Sequence, residues 1–300
     1  MDMTQNKCCR HGASLRRRRR MRRKILRSII FSCSIIAVTV FVAVGSRMIT
    51  SGDGGTNKYD VEAGNNTYDN AVIENSKISE KNKIQNEQSM LDDIMNSTQY
   101  PKQLKDLALK NEEALEFVYD YPAEHVKEHT IDLTEEASMD SVPLFVQWDK
   151  RWGYEKYSGN FFAASGCGPT TLSMVVVYLT HNREASPIAV AKYSKEAGYS
   201  VDGSGSSWTL ISEGCRHYGV KAKTVALDES RMKAELDAGH PIVVNVGPGD
   251  FTDTGHFMVI TGYDDEGFSI NDPNSIEKSG KRWLFKNISS QIRAVWSMYV

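Results

Sequence analysis

The sequence predicts an α+β protein in which a helical half precedes an antiparallel sheet, and three observations carry that expectation. Between residues 169 and 238 apolar side chains recur at helical spacing, most clearly at Leu172, Met174, Val175, Val176 and Leu179. From Pro241 onward the chain turns into β-rich segments between turn residues, at 241–246, 256–262 and 267–271. The two kinds of element are segregated along the chain, as α+β architecture requires.

The elements ahead of this domain read in order as follows. Residues 1–27 hold nine Arg and two Lys against one acid, a net +10, so a total of −2 leaves −12 on the remainder. This basic tail abuts an apolar run, 29–45, that contains no charge. With Ser28 and Ser46 it approaches the roughly 20 residues that span a bilayer. A transmembrane signal anchor over 28–46 follows. The excess of Lys and Arg on its N-terminal side predicts a single-pass membrane protein, with the tail in the cytoplasm and the C-terminal body outside. A buried core helix and a cleaved signal peptide ending near Ala43-Val44-Gly45 are the alternatives. The long basic region favours an uncleaved anchor. The run Arg16 to Arg20 then serves topology and anionic lipid, and nucleic acid is not expected as a partner.

Residues 47–98 are rich in Gly, Asn, Ser, Asp and Lys with isolated apolar residues, which predicts a disordered stalk with at most a loose helix near 89–95. A helical extension follows over 99–141. Leu104, Leu107, Ala108, Leu115, Phe117 and Val118 mark two short helices, 101–110 and 111–119, started by Pro101 and stopped by Pro122. The main domain, 142–300, should open with a short strand at 142–147. Helices follow at 169–180, 187–197, 207–218 and 229–238, the last ended by Gly239. The strands named above come next, with 283–285 and 294–299 as candidates to complete the sheet.

Three fragments point to chemistry. In Ser165-Gly166-Cys167-Gly168-Pro169 the glycines allow a close backbone approach, and Pro169 opens a helix. Cys167 is thereby placed at a helix N-terminus, where unpaired N–H groups and the dipole favour the thiolate. In Thr254-Gly255-His256-Phe257, His256 opens an apolar strand, so its ring can point into a cleft. In Asn271-Asp272-Pro273, Asp272 ends the next strand, and a hairpin would set it beside His256. Asn271 alternates to the opposite face and cannot share that task. Each fragment alone has a plainer reading: a buried structural cysteine, a capping histidine, an Asp-Pro turn. Together they supply nucleophile, base and orienting acid, the arrangement of papain-like folds.

Residues 142–300 resemble the C39-like cysteine peptidases, of the stand-alone bacterial kind without a transporter. The matching stretches are Gln147 to Gly153, Ser165 to Thr170, Gly203 to Trp208, Pro248 to Thr252, Gly255 to Phe257 and Asn271 to Pro273. The segment 100–122 is similar to the preface of some of these proteins. The resemblance implies a papain-like cysteine peptidase fold with Cys167 as nucleophile, His256 as general base and Asp272 as orienting acid. It implies that Gln147 donates to the oxyanion, although here it stands twenty residues before the cysteine, across an insertion at 148–164, where compact relatives keep it about six before. Gly166, Ser207 and Trp208 are candidates to line the substrate cleft, with a place in the core as the alternative for Trp208.

Of the five cysteines, Cys8, Cys9 and Cys33 fall in the tail or anchor, while Cys215 reads as buried and inert. Nothing has metal-ligand spacing, so no metal and no cofactor are expected. The expected partner is a peptide or protein substrate. The rival readings are a cell-wall peptide endopeptidase, amidase or transferase with the same triad, and a non-catalytic surface binding module of the same fold.

Overall fold

No proline or glycine interrupts the chain between residues 66 and 96, and these residues form one helix, α1 (Asn66–Asn96). The computed structural model describes residues 66–300, with side chains from residue 78 onward. The stalk expectation is thus corrected over α1. The rest of the proposed stalk, 47–65, lies outside the described residues, as do the tail 1–27 and the anchor 28–46. Among the described residues no helix is long and apolar enough to cross a membrane. The chain divides at Asn86, and residues 87–300 form one compact unit. Within that unit the last turns of α1 bury Leu91 and Ile94, while Gln88 and Asp92 pair along the surface at 3.1 Å.

The extension folds much as its pattern predicts. Helix α2 (Lys102–Lys110) buries Leu104, Leu107 and Ala108. The Asn111 side chain accepts from the Glu113 N–H at 3.0 Å and opens a 3-10 turn, Glu112–Ala114. Helix α3 (Leu115–Tyr119) continues from it and buries Leu115, Phe117 and Val118. Pro122 does not end the helical segment as expected. It sits at the start of a further turn, Tyr121–Glu124, where its missing N–H costs nothing.

Residues 142–146 carry no regular secondary structure and Gln147 begins a turn, which corrects the expected strand. Pro143 has no N–H for a ladder. Instead the side-chain amide of Asn271 donates to the carbonyls of Val142 at 3.0 Å and Pro143 at 3.1 Å. The insertion 148–164 forms a small hairpin, β1 (Lys156–Tyr157) with β2 (Asn160–Phe161), and then a helical turn, Phe162–Ser165. Helix α4 (Cys167–Thr180) follows, apolar on nearly all sides and buried. Helix α5 (Pro187–Glu196) starts at a Ser186 cap. A second hairpin pairs β3 (Ser200–Val201) with β4 (Gly205–Ser206).

The expected helix over 207–218 is broken into a turn, Thr209–Ser212, and a 3-10 segment, Gly214–Tyr218. Gly214 is a weak helix former, and a side chain there would meet Tyr199 at 3.0 Å. β5 (Lys221–Thr224) lies outside the expected strands, because its four residues include a single apolar side chain, Ala222.

After α6 (Glu229–Asp237) come β6 (Ile242–Val246), β7 (His256–Asp264), β8 (Gly267–Asn271), β9 (Arg282–Trp283) and β10 (Ile292–Tyr299). With β5 they make a six-stranded antiparallel sheet in the order β5-β10-β6-β7-β8-β9. Both sheet faces are covered. Val243, Phe257, Val259, Trp296 and Met298 share one apolar cluster with α4 and α5. Ile242, Val244, Val246, Met258 and Ile260 share another with Met232 of α6. The burial of α4 against the sheet therefore fixes the start of the helix beside the start of β7.

Candidate active site

Helix α4 begins at Cys167, two residues before the start expected at Pro169, with Gly166 as its cap. The two flanking glycines act by close approach. A side chain at Gly166 would stand 2.5 Å from the Phe162 ring, and one at Gly168 would stand 2.5 Å from the Ser206 hydroxyl of β4. Such distances exclude any larger residue without movement of the neighbour. The Cys167 side chain is partly accessible and unpaired.

His256 is the first residue of β7, opposite Val246 of β6, and is buried with 6% exposure. Its Nε2 is 2.6 Å from Oδ1 of Asp272, a residue with no exposed surface. The hairpin of β7 and β8 produces that approach: Val259 pairs with Asn271, and Asp272 follows directly. With Nε2 engaged, Nδ1 is the ring nitrogen left for Cys167, whose thiol lies near enough for the two groups to act on each other's charge. The structure therefore brings His256 and Asp272 together and sets Cys167 within reach of the imidazole's charge.

The electrostatics follow from this geometry. Burial pushes the Cys167 thiol up. Hydrogen bonding and charge from His256, with the N–H groups of Phe257 and Gly168, outweigh burial and hold the thiol below the usual cysteine value. Burial likewise opposes protonation of His256, but the charge and hydrogen bond of Asp272 reverse it and raise the imidazole to about 10. A lowered thiol beside a raised imidazole favours a thiolate–imidazolium pair.

Gln147 is buried, and its side-chain N–H donates to the Ala163 carbonyl at 2.8 Å, on the turn leading into Cys167. Its backbone N–H donates to the Pro273 carbonyl at 2.7 Å, next to Asp272. Despite the insertion, Gln147 thus bridges the nucleophile turn and the Asp272 loop. A second amide hydrogen remains for a ligand. Its side-chain oxygen and Oδ2 of Asp272 are both buried without a protein partner.

The remaining cleft candidates are placed unevenly. Gly166 is buried under the Phe162 ring. Ser207 bonds to the Thr209 hydroxyl at 2.7 Å and so serves its own turn. Trp208 is 46% exposed and meets Trp296 edge-on, which removes it from the core. The serine that faces the nucleophile turn is Ser206, one residue earlier. Its hydroxyl lies 2.6 Å from that of Tyr157. The Gly-rich stretch signalled this loop, but only the β3–β4 hairpin register shows which serine turns inward. Cys215 is fully buried and unpaired, and burial pushes its thiol up to about 11. Among the described residues no cluster of His, Cys, Asp and Glu is arranged to hold a metal ion.

The profile of the Peptidase_C39 like family matches residues 139–300, more than half of the chain. The chain belongs to that family. Two solved structures are similar to it. One is the peptidase domain of Streptococcus ComA, described as a bifunctional ABC transporter involved in a quorum-sensing pathway. It shares 19% identity with a TM-score of 0.39, over 53% of this chain and 96% of that one. The other is described as a C39-like peptidase from Bacillus anthracis, with 17% identity and a TM-score of 0.33, over 53% of this chain and 95% of that one. No curated protein matches by sequence. Within the C39-like chain described here, the matched segment contains Gln147, Cys167, His256 and Asp272.

Proposed function

We propose that this C39-like protein is a cysteine peptidase that cleaves peptide bonds through Cys167, His256 and Asp272. One observation carries the proposal. The Cys167 thiol, at the N-terminus of α4, feels the charge of an imidazole whose Nε2 is held at 2.6 Å by a fully buried carboxylate.

In this reading the Cys167 thiolate attacks the scissile carbonyl carbon. The developing oxyanion is met by the free amide hydrogen of Gln147 and the backbone N–H of Cys167, which is helix position N1. The His256 imidazolium gives its Nδ1 proton to the leaving amine, and the C–N bond breaks. Neutral His256 then removes a proton from water, which attacks the thioester and returns the acid and the thiolate. Asp272 holds the ring in the useful tautomer. The basic tail 1–27 and apolar run 28–46 support a single-pass anchor at the cell membrane, with the catalytic domain outside the cytoplasm.

The test is a defined peptide panel that includes wall-type crosslink peptides, incubated with the full-length chain and read by mass spectrometry. Cleavage that disappears in Cys167→Ala supports the proposal. Cleavage that survives in that variant, or no cleavage of any member by the wild type, contradicts it.

A further inference from the structure

Asp272 lies on a loop that the N-terminal extension grips directly. The loop Asp272–Pro273–Asn274 leads into a four-residue helical turn, Ile276–Ser279, capped by Ser275. Three bonds tie this loop to Asp272 itself. The Asn274 N–H donates to Oδ1 of Asp272 at 2.8 Å, the same oxygen that receives His256. The Asp272 N–H donates to the Ser279 hydroxyl at 2.9 Å. The Ser275 N–H donates to the Asp272 carbonyl at 3.1 Å.

Two of these anchors, Asn274 and Ser275, are held directly from the 3-10 turn of the extension. The Asn111 side-chain amide donates to the Asn274 carbonyl at 2.8 Å and to its side-chain oxygen at 3.1 Å. The Glu113 carboxylate accepts from the Ile276 N–H at 2.7 Å, from the Glu277 N–H at 3.0 Å and from the Ser275 hydroxyl. A single carboxylate thus satisfies the exposed N-terminal donors of the very turn whose Ser279 holds the Asp272 backbone. A four-residue turn has no cooperative stability of its own, so a charge-assisted cap from outside decides whether it persists. Asn111 and Glu113 are rigid with respect to each other, because the Asn111 oxygen accepts from the Glu113 N–H. They stand on a base of buried Ala114, Leu115, Phe117 and Val118. From the domain side, the Trp148 indole donates to the same Asn274 carbonyl at 3.2 Å.

We infer that Asn111 and Glu113 are positioning residues for the catalytic acid, and that the extension, through residues 111–114, is a working part of the peptidase site. This inference rests on the triad reading above. Its content is that Asp272 takes its place against His256 only while the extension is docked. A tether pull or a partner that lifts the 3-10 turn would then lower the activity of a domain that otherwise stays folded.

The experiment is alkylation of the full-length chain by iodoacetamide across pH, read by mass spectrometry at the Cys167 peptide. The wild type, Glu113→Ala, Glu113→Gln and Tyr154→Phe are compared. Tyr154→Phe removes a different docking bond of the extension, from the Tyr154 hydroxyl to the Phe117 carbonyl at 2.8 Å, and does not touch the loop. The expected result is that both Glu113 variants lose about tenfold in Cys167 alkylation rate near about pH 6, the equivalent of one pKa unit, while Tyr154→Phe keeps the wild-type profile. Thermal melting of all four proteins separates this from unfolding, since a purely structural role would lower stability and leave the profile of the folded fraction in place. Glu113 variants with the wild-type profile overturn the positioning role and leave the triad reading standing. A wild type that reacts only above about pH 8 overturns both.

Discussion

Cys167 and Cys215 border the same apolar cluster, one at the first residue of α4 and the other in the 3-10 turn Gly214–Tyr218. Burial raises both thiols. At Cys215 nothing outweighs it, and the thiol reaches about 11. At Cys167 the hydrogen bond and charge of His256, with two backbone N–H groups, reverse it. The difference teaches that exposure alone does not set the two thiols apart. Cys167 is the one that the sheet supplies with a base, and that base owes its proton to Asp272.

Removing the base should erase the contrast. His256→Ala is expected to lower peptide hydrolysis by roughly 10²–10⁴-fold and to move Cys167 alkylation toward the alkaline range of an ordinary thiol. Steady-state kinetics and pH-dependent alkylation of the same preparation check both parts.

Gln147→Ala sharpens the contrast by separating the thiol from the oxyanion. The loss in kcat should be roughly 10²–10³-fold, with the alkylation profile of Cys167 unchanged, because the glutamine acts on the developing charge and not on the thiolate. A profile that moves with kcat would reassign Gln147 to the support of the nucleophile turn.

A smaller effect is expected at the orienting acid. Asp272→Asn removes the charge that raises His256, so the imidazolium loses its proton at lower pH and the ion pair is less populated. Alkylation of Cys167 near about pH 7 should fall about tenfold, one pKa unit of lost stabilisation. Histidine ring titration by NMR should place His256 well below the value near 10 of the intact protein.

The smallest effect belongs to the other cysteine. Cys215→Ala should leave hydrolysis and Cys167 reactivity alone and cost about 1 kcal/mol through the small void it opens. Thermal melting reads that cost.

Much of this site was legible in the sequence because its signals are local. The glycines, Cys167 and Pro169 specify the start of a helix within five residues. His256 and Asp272 sit at the ends of strands whose apolar pattern is plain, and a tight hairpin joins them. What escaped depends on distant partners. Residues 142–147 look like a strand until Asn271 takes the carbonyls of Val142 and Pro143. The polar strand β5 exists because β10 offers it an edge. The sequence points to Ser207, but one residue of hairpin register places Ser206 against Gly168 instead. The contact of Glu113 with the turn beyond Asp272 spans more than 160 residues of sequence, and no spacing rule reaches that far. The stalk composition in turn concealed α1, whose sequence is mostly polar and whose described buried apolar residues are Leu91 and Ile94.

The most direct test of the account follows both cysteines in one tube. The folded full-length chain is alkylated with iodoacetamide from about pH 4 to about pH 10, and adducts at Cys167 and Cys215 are quantified separately. The account predicts that Cys167 reacts below about pH 7 and loses that reactivity in His256→Ala, while Cys215 stays unmodified across the range in both proteins. Equal profiles for the two cysteines, or a Cys167 profile indifferent to His256, would contradict it.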